Sequence, residues 1–152
     1  MPDNPSPREQ DAWRGLVLTA QLLEATLDRQ LQQLEGIPHA YYGILIALFE
    51  QPDHRARMSD VAHRLRFSQS RLTHAVRRLE DQDLVERMQG DGDRRVVTVG
   101  LTHEGLQLIR RAAPKQAAEV RRKLLARLAP EQVEQLAEIT AVLLEGLDED
   151  WR

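Results

Sequence analysis

The chain has 152 residues, of which 41% are hydrophobic, 30% charged and 4% aromatic, and its formal net charge is −3. This composition is typical of a globular protein and excludes a largely disordered one. The chain contains no cysteine, which excludes disulfides, thiol redox sensing and cysteine-based zinc sites and favours a cytoplasmic location. No apolar run approaches the length of a membrane span, and no signal peptide is expected.

The charge is unevenly distributed along the chain. The segment 54–95 contains ten arginines and seven acidic residues, a net charge of +3, so the remainder of the chain carries −6. A basic middle between acidic ends suits a partner that carries phosphates, although a solvated charged surface has the same composition.

The N-terminal part is predicted to be helical after a short lead-in. Residues 1–10 are rich in proline and lack apolar periodicity, so we expect a disordered lead-in there. From about Asp11, leucines and an alanine recur at helical spacing until the chain reaches Gly36, which predicts one long amphipathic helix. A second helix is predicted from about Pro38 to Glu50.

Two short helices joined by a tight turn are predicted in the basic middle. Gln51 to Arg57 is expected to be a polar connection, after which Ser59 can cap the helix SDVAHRL. Ser68 can cap the next helix, QSRLTHAVRRLEDQ. The apolar stripe of this second helix comprises Leu72, Ala75, Val76 and Leu79. The pair is a candidate helix-turn-helix.

The opposite face of the second helix carries short hydrogen-bond donors near its start and cations further along. A helix N-terminus attracts phosphate, and side chains there can enter a DNA major groove, where arginine can bind guanine through two parallel hydrogen bonds. The candidate DNA contacts are Ser68, Gln69, Ser70, Thr73, His74, Arg77 and Arg78. An ordinary exposed helix face is the alternative, and the position of this helix in the motif favours DNA contact.

A β-hairpin is predicted next, with strands LVERM and RVVTVGL around the loop QGDGDR. The loop lacks the ligands of a calcium site and the lysine of a phosphate-binding loop. Asp93, two residues before Arg95, can hold that guanidinium in a fixed direction, so that Arg95 at the hairpin tip can enter a minor groove. Arg94 beside it is a further candidate DNA contact. The alternative is a surface ion pair of negligible energy.

The C-terminal part is predicted to contain two further helices. Thr102 can cap the first of them, Pro114 should bend or locally interrupt it, and Pro130 suits the first turn of the last helix. The terminal helices carry more apolar surface than the middle can cover, which favours an intertwined homodimer over an intramolecular bundle.

Two segments, FSQSRLTHAVRRLEDQDLVER and DGDRRVVTVGLTHEG, resemble the MarR family of winged helix-turn-helix transcription regulators. The most specific match is the wing motif, formed here by Asp93, Arg95, Leu101, Thr102 and Gly105. Asp83 departs from the family, which commonly has glycine there, but aspartate tolerates a left-handed backbone.

The resemblance implies a mainly α fold with a small β-hairpin wing. A winged helix-turn-helix DNA-binding domain would span residues 38–102, and segments 11–37 and 103–152 would form a helical dimerisation region. The recognition helices of the dimer would enter successive major grooves and the wing arginines the adjacent minor grooves. The family also implies control by small, often aromatic anions bound between the dimerisation helices and the DNA-binding lobe.

Four residues are candidates for such a ligand site, namely Trp13, Arg14, His39 and Tyr42, because an aromatic wall beside a cation suits an aromatic carboxylate. A packed hinge containing a buried tryptophan is the alternative, and the residues alone favour it. The histidines lie in different elements without metal-ligand spacing, so we expect no metal and no cofactor.

We therefore expect a dimeric DNA-binding repressor that occupies a pseudo-palindromic operator on double-stranded DNA, that is not membrane-bound and that a small aromatic or anionic effector releases. An enzyme is not expected, because the sequence has no paired nucleophile, metal set or cofactor loop. The alternative is a helical dimeric adaptor that binds proteins rather than DNA, and steep salt dependence of binding would distinguish the two.

Overall fold

Six α-helices and three short β-strands form the described chain. The structure is a computed structural model that describes residues 4–89 and 96–149. The helices are α1 (Pro7–Glu35), α2 (His39–Phe49), α3 (Met58–Leu65), α4 (Gln69–Glu80), α5 (His103–Lys123) and α6 (Pro130–Glu149). The strands are β1 (Arg55–Arg57), β2 (Val85–Gln89) and β3 (Val97–Leu101), and a short 3-10 helix, Leu125–Arg127, follows α5. The fold is mainly α with a small antiparallel sheet, as predicted.

Helix α1 begins earlier than its apolar periodicity predicts. The Ser6 hydroxyl accepts a hydrogen bond from the Glu9 amide at 3.3 Å, and the Glu9 carboxylate accepts one from the Ser6 amide at 2.7 Å. This capping box places Pro7 in the first turn, where its missing N–H costs nothing. Residues 7–10 of the expected disordered lead-in are therefore helical. The predicted end is correct, since Gly36 adopts a left-handed conformation with φ of 70°.

Strand β1 occupies part of the segment that was expected to be a polar connection. Arg55, Ala56 and Arg57 pair with Gly100, Val99 and Thr98 of β3. With a single apolar residue between two arginines, the segment is too short for its alternation to predict a strand, so the tertiary partner defines it. The chain passes directly from β1 into α3, which makes Arg57 the N-cap. The prediction that Ser59 caps this helix is wrong, and the Ser59 hydroxyl lies 3.3 Å from the Asp60 carboxylate instead.

The sheet has the order β1-β3-β2, and both pairings are antiparallel. Strands β2 and β3 pair from Val85 opposite Leu101 to Gln89 opposite Val97, which confirms the predicted hairpin. Its loop, residues 90–95, lies outside the described residues.

Helix α2 forms the centre of the hydrophobic core. Its side chains Ile44, Leu45 and Leu48 are fully buried. They belong to one cluster with buried residues of α3, α4, β3 and α5. This arrangement gives α4 a rigid apolar support on one side and leaves its other side in solvent.

Helix α5 continues through Pro114, so the predicted local interruption does not occur. The helix packs along α1, and Pro114 itself lies on the exposed side of α5. Pro130 starts α6, as expected. Throughout residues 130–147 of α6 no side chain is buried.

Candidate nucleic-acid interface

The two faces of α4 differ in chemistry. Leu72, Ala75, Val76 and Leu79 are buried, each at most 1% exposed. The other face is exposed and presents the predicted contacts Ser70, Thr73, His74, Arg77 and Arg78, with Ser68 and Gln69 at the start of the helix. The helix is therefore anchored by one side and displays donors and cations on the other.

The N-terminus of α4 is capped as predicted. The Ser68 hydroxyl accepts a hydrogen bond from the Arg71 amide at 3.2 Å, and the Ser70 hydroxyl lies 3.3 Å from it. The hydroxyls and remaining free amides of the first turn form a compact set of donors where the helix dipole is positive. Such a terminus is suited to a phosphate group.

The turn between α3 and α4 orients a cation that sequence reasoning missed. Arg66 ends α3 in a left-handed conformation, and the Phe67 amide donates back to the Ala62 carbonyl at 2.9 Å. The guanidinium of Arg71 lies 3.9 Å from the centroid of the Phe67 ring. This cation–π contact holds Arg71 on the flank of α4. The spacing of Phe67 and Arg71, four residues apart across the start of α4, is only a weak signal in the sequence.

An ion pair ties the wing to α4. The Glu80 carboxylate accepts hydrogen bonds from the Arg87 backbone amide at 3.1 Å and from its Nε at 2.7 Å. Hydrogen bonding to Glu80 raises the pKa of Arg87 above its usual value, so the side chain stays charged. Arg87 was not predicted as a site residue, because its partner lies in a different element.

A groove of about 530 Å³ lies between α4 and the sheet. It is lined by Gln69 and Thr73 of α4, by Arg87 of β2, by Arg57 at the end of β1 and by Ser59 of α3. Polar α4 side chains and two cations thus share one surface, and Arg57 joins it only because β1 pairs with β3.

The contacts between the turn after α4 and the start of α5 explain why the wing motif contains Thr102 and Gly105. Asp83 has a φ of 57°, which confirms the left-handed backbone expected there. The Thr102 hydroxyl donates to the Asp83 carbonyl at 2.6 Å and accepts from the Gly105 amide at 3.0 Å. A Cβ atom on Gly105 would lie 2.1 Å from the Leu84 carbonyl oxygen. The motif fixes the start of α5 against the turn that follows α4.

Three predicted DNA contacts, Asp93, Arg94 and Arg95, lie in the loop outside the described residues. The direction of the Arg95 guanidinium and its pairing with Asp93 therefore stay predictions.

The predicted ligand residues fall into two places in the single chain. His39 and Tyr42 stack with ring centroids 6.3 Å apart, and the His39 ring bonds to Glu24. Burial raises the pKa of Tyr42. Trp13 is 51% exposed with Arg14 against its ring, and it lies about 16 Å along α1 from Glu24. A single chain does not bring the four residues together.

Among residues 4–89 and 96–149, no group of His, Asp and Glu side chains could hold a metal ion. No helix in the same part of the chain is long and apolar enough to cross a membrane.

Similar proteins agree with this geometry. The model of the MarR family matches residues 37–97. The structure of Sco3205, a MarR family transcriptional regulator from Streptomyces coelicolor in complex with DNA, is 43% identical and has a TM-score of 0.93, covering 97% of this chain and 92% of that chain.

AbsC, another MarR family transcriptional regulator from Streptomyces coelicolor, is 37% identical with a TM-score of 0.89, covering 95% of this chain and 97% of that chain. The transcriptional repressor MdtR of Bacillus subtilis is 32% identical over 76% of this chain and 73% of its own length. Together with the exposed, capped α4 and its attached wing, these similarities show that the chain belongs to the MarR family of winged helix transcription regulators.

Proposed function

We propose that the chain is a homodimeric repressor that binds a pseudo-palindromic operator on double-stranded DNA. The observation that carries the proposal is the exposed face of α4, where Ser70, Thr73 and Arg77 stand over a buried apolar stripe. A face of this kind suits the major groove. The complex of Sco3205 with DNA supports the proposal through its similarity to this chain.

The wing supplies the second set of contacts in this proposal. Arg94 and Arg95 enter the minor groove beside each half-site, while the Glu80–Arg87 pair keeps the hairpin at a fixed distance from α4. Repression follows from occlusion of the promoter, and the protein acts in the cytoplasm without catalysing a reaction.

Dimerisation is supported by the apolar surface of the terminal helices. Leu16 and Val17 of α1 and Val142, Leu144 and Leu147 of α6 are each 45% exposed or more in the single chain. Several large apolar side chains exposed together on helices typically mark an interface. We propose that segments 11–37 and 103–152 of two copies cover each other and hold the two domains of residues 38–102 at the spacing of the half-sites.

We also propose that a small aromatic or anionic effector releases the operator. The predicted site around His39 and Tyr42 would need Trp13 and Arg14 of the partner copy to be complete, since the single chain keeps them apart. This site remains a proposal that rests on dimerisation.

The test is binding to a duplex that contains the DNA upstream of the protein's own gene. We expect a dimer to protect two half-sites whose centres lie about 10 base pairs apart. Affinity should fall about 10³-fold or more between 50 and 200 mM salt if six or more phosphates are contacted. A folded dimer that shifts no such duplex at low salt contradicts the proposal. Binding to a protein partner with little salt dependence would instead support the adaptor function.

A further inference from the structure

The part of the chain that carries α4 joins the terminal helices through two connections. We call this part, residues 39–101 with α2 to α4 and the sheet, the lobe. The first connection is residues 36–38, between α1 and α2, and the second is Thr102, between β3 and α5. Gly36 adopts a left-handed conformation, so the chain turns where α1 ends. The direction of the lobe relative to α1 and α5 therefore depends on the geometry at these two places.

One guanidinium group bonds to residues beside both connections. Arg111 of α5 donates from Nη2 to the Glu35 carboxylate at 3.0 Å, and Glu35 directly precedes Gly36. The same guanidinium lies 3.4 Å from a carboxylate oxygen of Glu104, two residues after Thr102. Arg111 therefore ties the end of α1 to the start of α5, beside the two places where the chain enters and leaves the lobe.

The position of the Glu35 carboxylate is unfavourable without Arg111. The side chain of Glu35 is 8% exposed, whereas that of Arg111 is 48% exposed. The C-terminal end of a helix repels a carboxylate, and the last turn of α1 contains no basic residue. Among the described residues, Arg111 is the only basic side chain that bonds to Glu35. Removing either partner leaves a poorly compensated group at the junction of α1 and α5.

The guanidinium of Arg111 remains charged in this arrangement. Hydrogen bonding to Glu35 raises the pKa of Arg111 above its ordinary value, and Glu104 acts in the same direction. Glu35 and Arg111 are 76 positions apart in the sequence, so their bond joins two helices. The pair of Glu119 and Arg122, by contrast, lies within α5 at spacing i,i+3 and joins no two elements.

We propose that Glu35 and Arg111 are positioning residues that hold the lobe in a fixed direction on α1 and α5 and thereby set the half-site spacing that the dimer accepts. The inference rests on the proposed function, since spacing has a meaning only for two lobes on one operator. In a symmetric dimer the separation and twist of the two α4 helices follow from the direction of each lobe. One base pair inserted between the half-sites rotates one of them by about 35° around the DNA axis. Firmly held lobes tolerate this rotation less well than loosened ones.

The first test compares duplexes that differ only in spacing. The full chain is titrated with an operator whose half-site centres lie about 10 base pairs apart and with versions that carry one or two additional base pairs between the half-sites. The ratio of the affinities measures spacing selectivity. A variant that is merely less stable has less folded protein for every duplex alike, so its ratio stays at the wild-type value.

Glu35→Gln and Arg111→Gln should each lower this ratio by about fivefold or more. The double variant should lower it no further than either single variant, because both substitutions remove the same bond. Arg122→Gln is the matched control, since it removes another guanidinium of α5 whose partner lies in the same helix. It should keep the wild-type ratio.

A second test reports on the lobes without DNA. Because the chain contains no cysteine, His63→Cys on the exposed side of α3 introduces one spin-label site per chain, at a residue that is not a predicted DNA contact. Pulsed electron paramagnetic resonance then gives the distribution of distances between the two lobes of the dimer. We expect Glu35→Gln and Arg111→Gln to broaden this distribution and Arg122→Gln to leave its width unchanged.

The outcomes separate this proposal from the proposed function. Unchanged ratios in Glu35→Gln and Arg111→Gln overturn the effect on spacing, and unchanged distance distributions overturn the positioning role; both results leave operator binding intact. An equal loss of the ratio in Arg122→Gln also overturns the proposal, because net charge then explains the effect. Broadened distances in a protein that binds no duplex support the positioning role and contradict the proposed function. A labelled protein that gives no distance between lobes is monomeric and overturns both.

Discussion

At the residue scale, Thr102 connects the turn that follows α4 to the start of α5. Its hydroxyl donates to the Asp83 carbonyl and accepts from the Gly105 amide, and its own amide donates to the Leu84 carbonyl at 3.2 Å. The bonds to Asp83 and Leu84 join segments that are far apart in the sequence, and they form only because Gly105 lets α5 approach the Leu84 carbonyl.

We predict that Gly105→Ala destabilises the protein by about 2–3 kcal/mol, because the new methyl group would overlap a backbone oxygen that cannot move without shifting the turn. Urea unfolding measures the loss. Gly43→Ala in α2 is the matched control, since a Cβ there meets only the Leu65 Cδ2 at 4.0 Å. That variant should gain about 0.5–1 kcal/mol from helix propensity. Equal stabilities for the two variants would disprove the steric explanation.

A second prediction separates base contacts from backbone contacts. Arg77→Ala should cost about 1–3 kcal/mol on the operator and relax base preference at one position, if this exposed side chain binds a base edge. Arg95→Ala should instead weaken binding to operator and random duplexes alike and reduce the salt slope by about 1. Fluorescence anisotropy on both duplexes measures these effects. Identical profiles for the two variants would contradict this division.

At the scale of elements, the wing is held to α4 by a carboxylate rather than by apolar packing alone. Glu80 lies at the end of α4, and it bonds both to the backbone and to the side chain of Arg87 in β2. The position of the hairpin beside α4 therefore depends on a pair that is only partly shielded from water.

We predict that Glu80→Ala destabilises the protein by about 1 kcal/mol, a small value because both partners are partly exposed. The amides of β2 should exchange faster with solvent, as hydrogen exchange can show. Glu86→Ala is the control, because this carboxylate is exposed on the same strand. If Glu86→Ala costs as much, the effect is one of net charge and not of the bond to Arg87.

At the scale of the whole molecule, the rest of the chain leaves many apolar side chains of the terminal helices α1 and α6 exposed. Leu27 and Leu31 are the buried residues of α1, and its N-terminal half has apolar side chains in solvent. A helix that carries apolar residues over so much of its surface needs a second partner, and we infer that a copy of the same chain supplies it by symmetry.

We predict that Leu143→Glu converts the protein to a monomer and lowers operator affinity about 100-fold, because the two half-sites are then bound independently. Sedimentation velocity gives the oligomeric state, and gel shift gives the affinity. Ala141→Glu adds the same charge on the opposite face of α6 and should remain dimeric. A dimeric Leu143→Glu protein would place the interface elsewhere.

Local features were predictable from the sequence because neighbouring residues encode them. Gly36, Ser68 and Thr102 each terminate or start a helix through a backbone conformation or a hydrogen bond within a few residues. The apolar stripe of α4 and the alternation of β2 and β3 follow from periodicity in the same way. These signals were sufficient for the helix-turn-helix, the hairpin and the division of α4 into a buried and an exposed face.

Only the tertiary structure decided which distant residues meet. Strand β1 forms because β3 lies beside it, and this pairing places Arg57 in the lining of two cavities. Glu80 at the end of α4 bonds to Arg87 on the other side of the turn. None of these contacts leaves a local pattern, since long-range packing is determined by the sum of many weak interactions over the core. The sequence alone therefore determined the elements and the chemistry of the α4 face, whereas packing determined the grooves beside it.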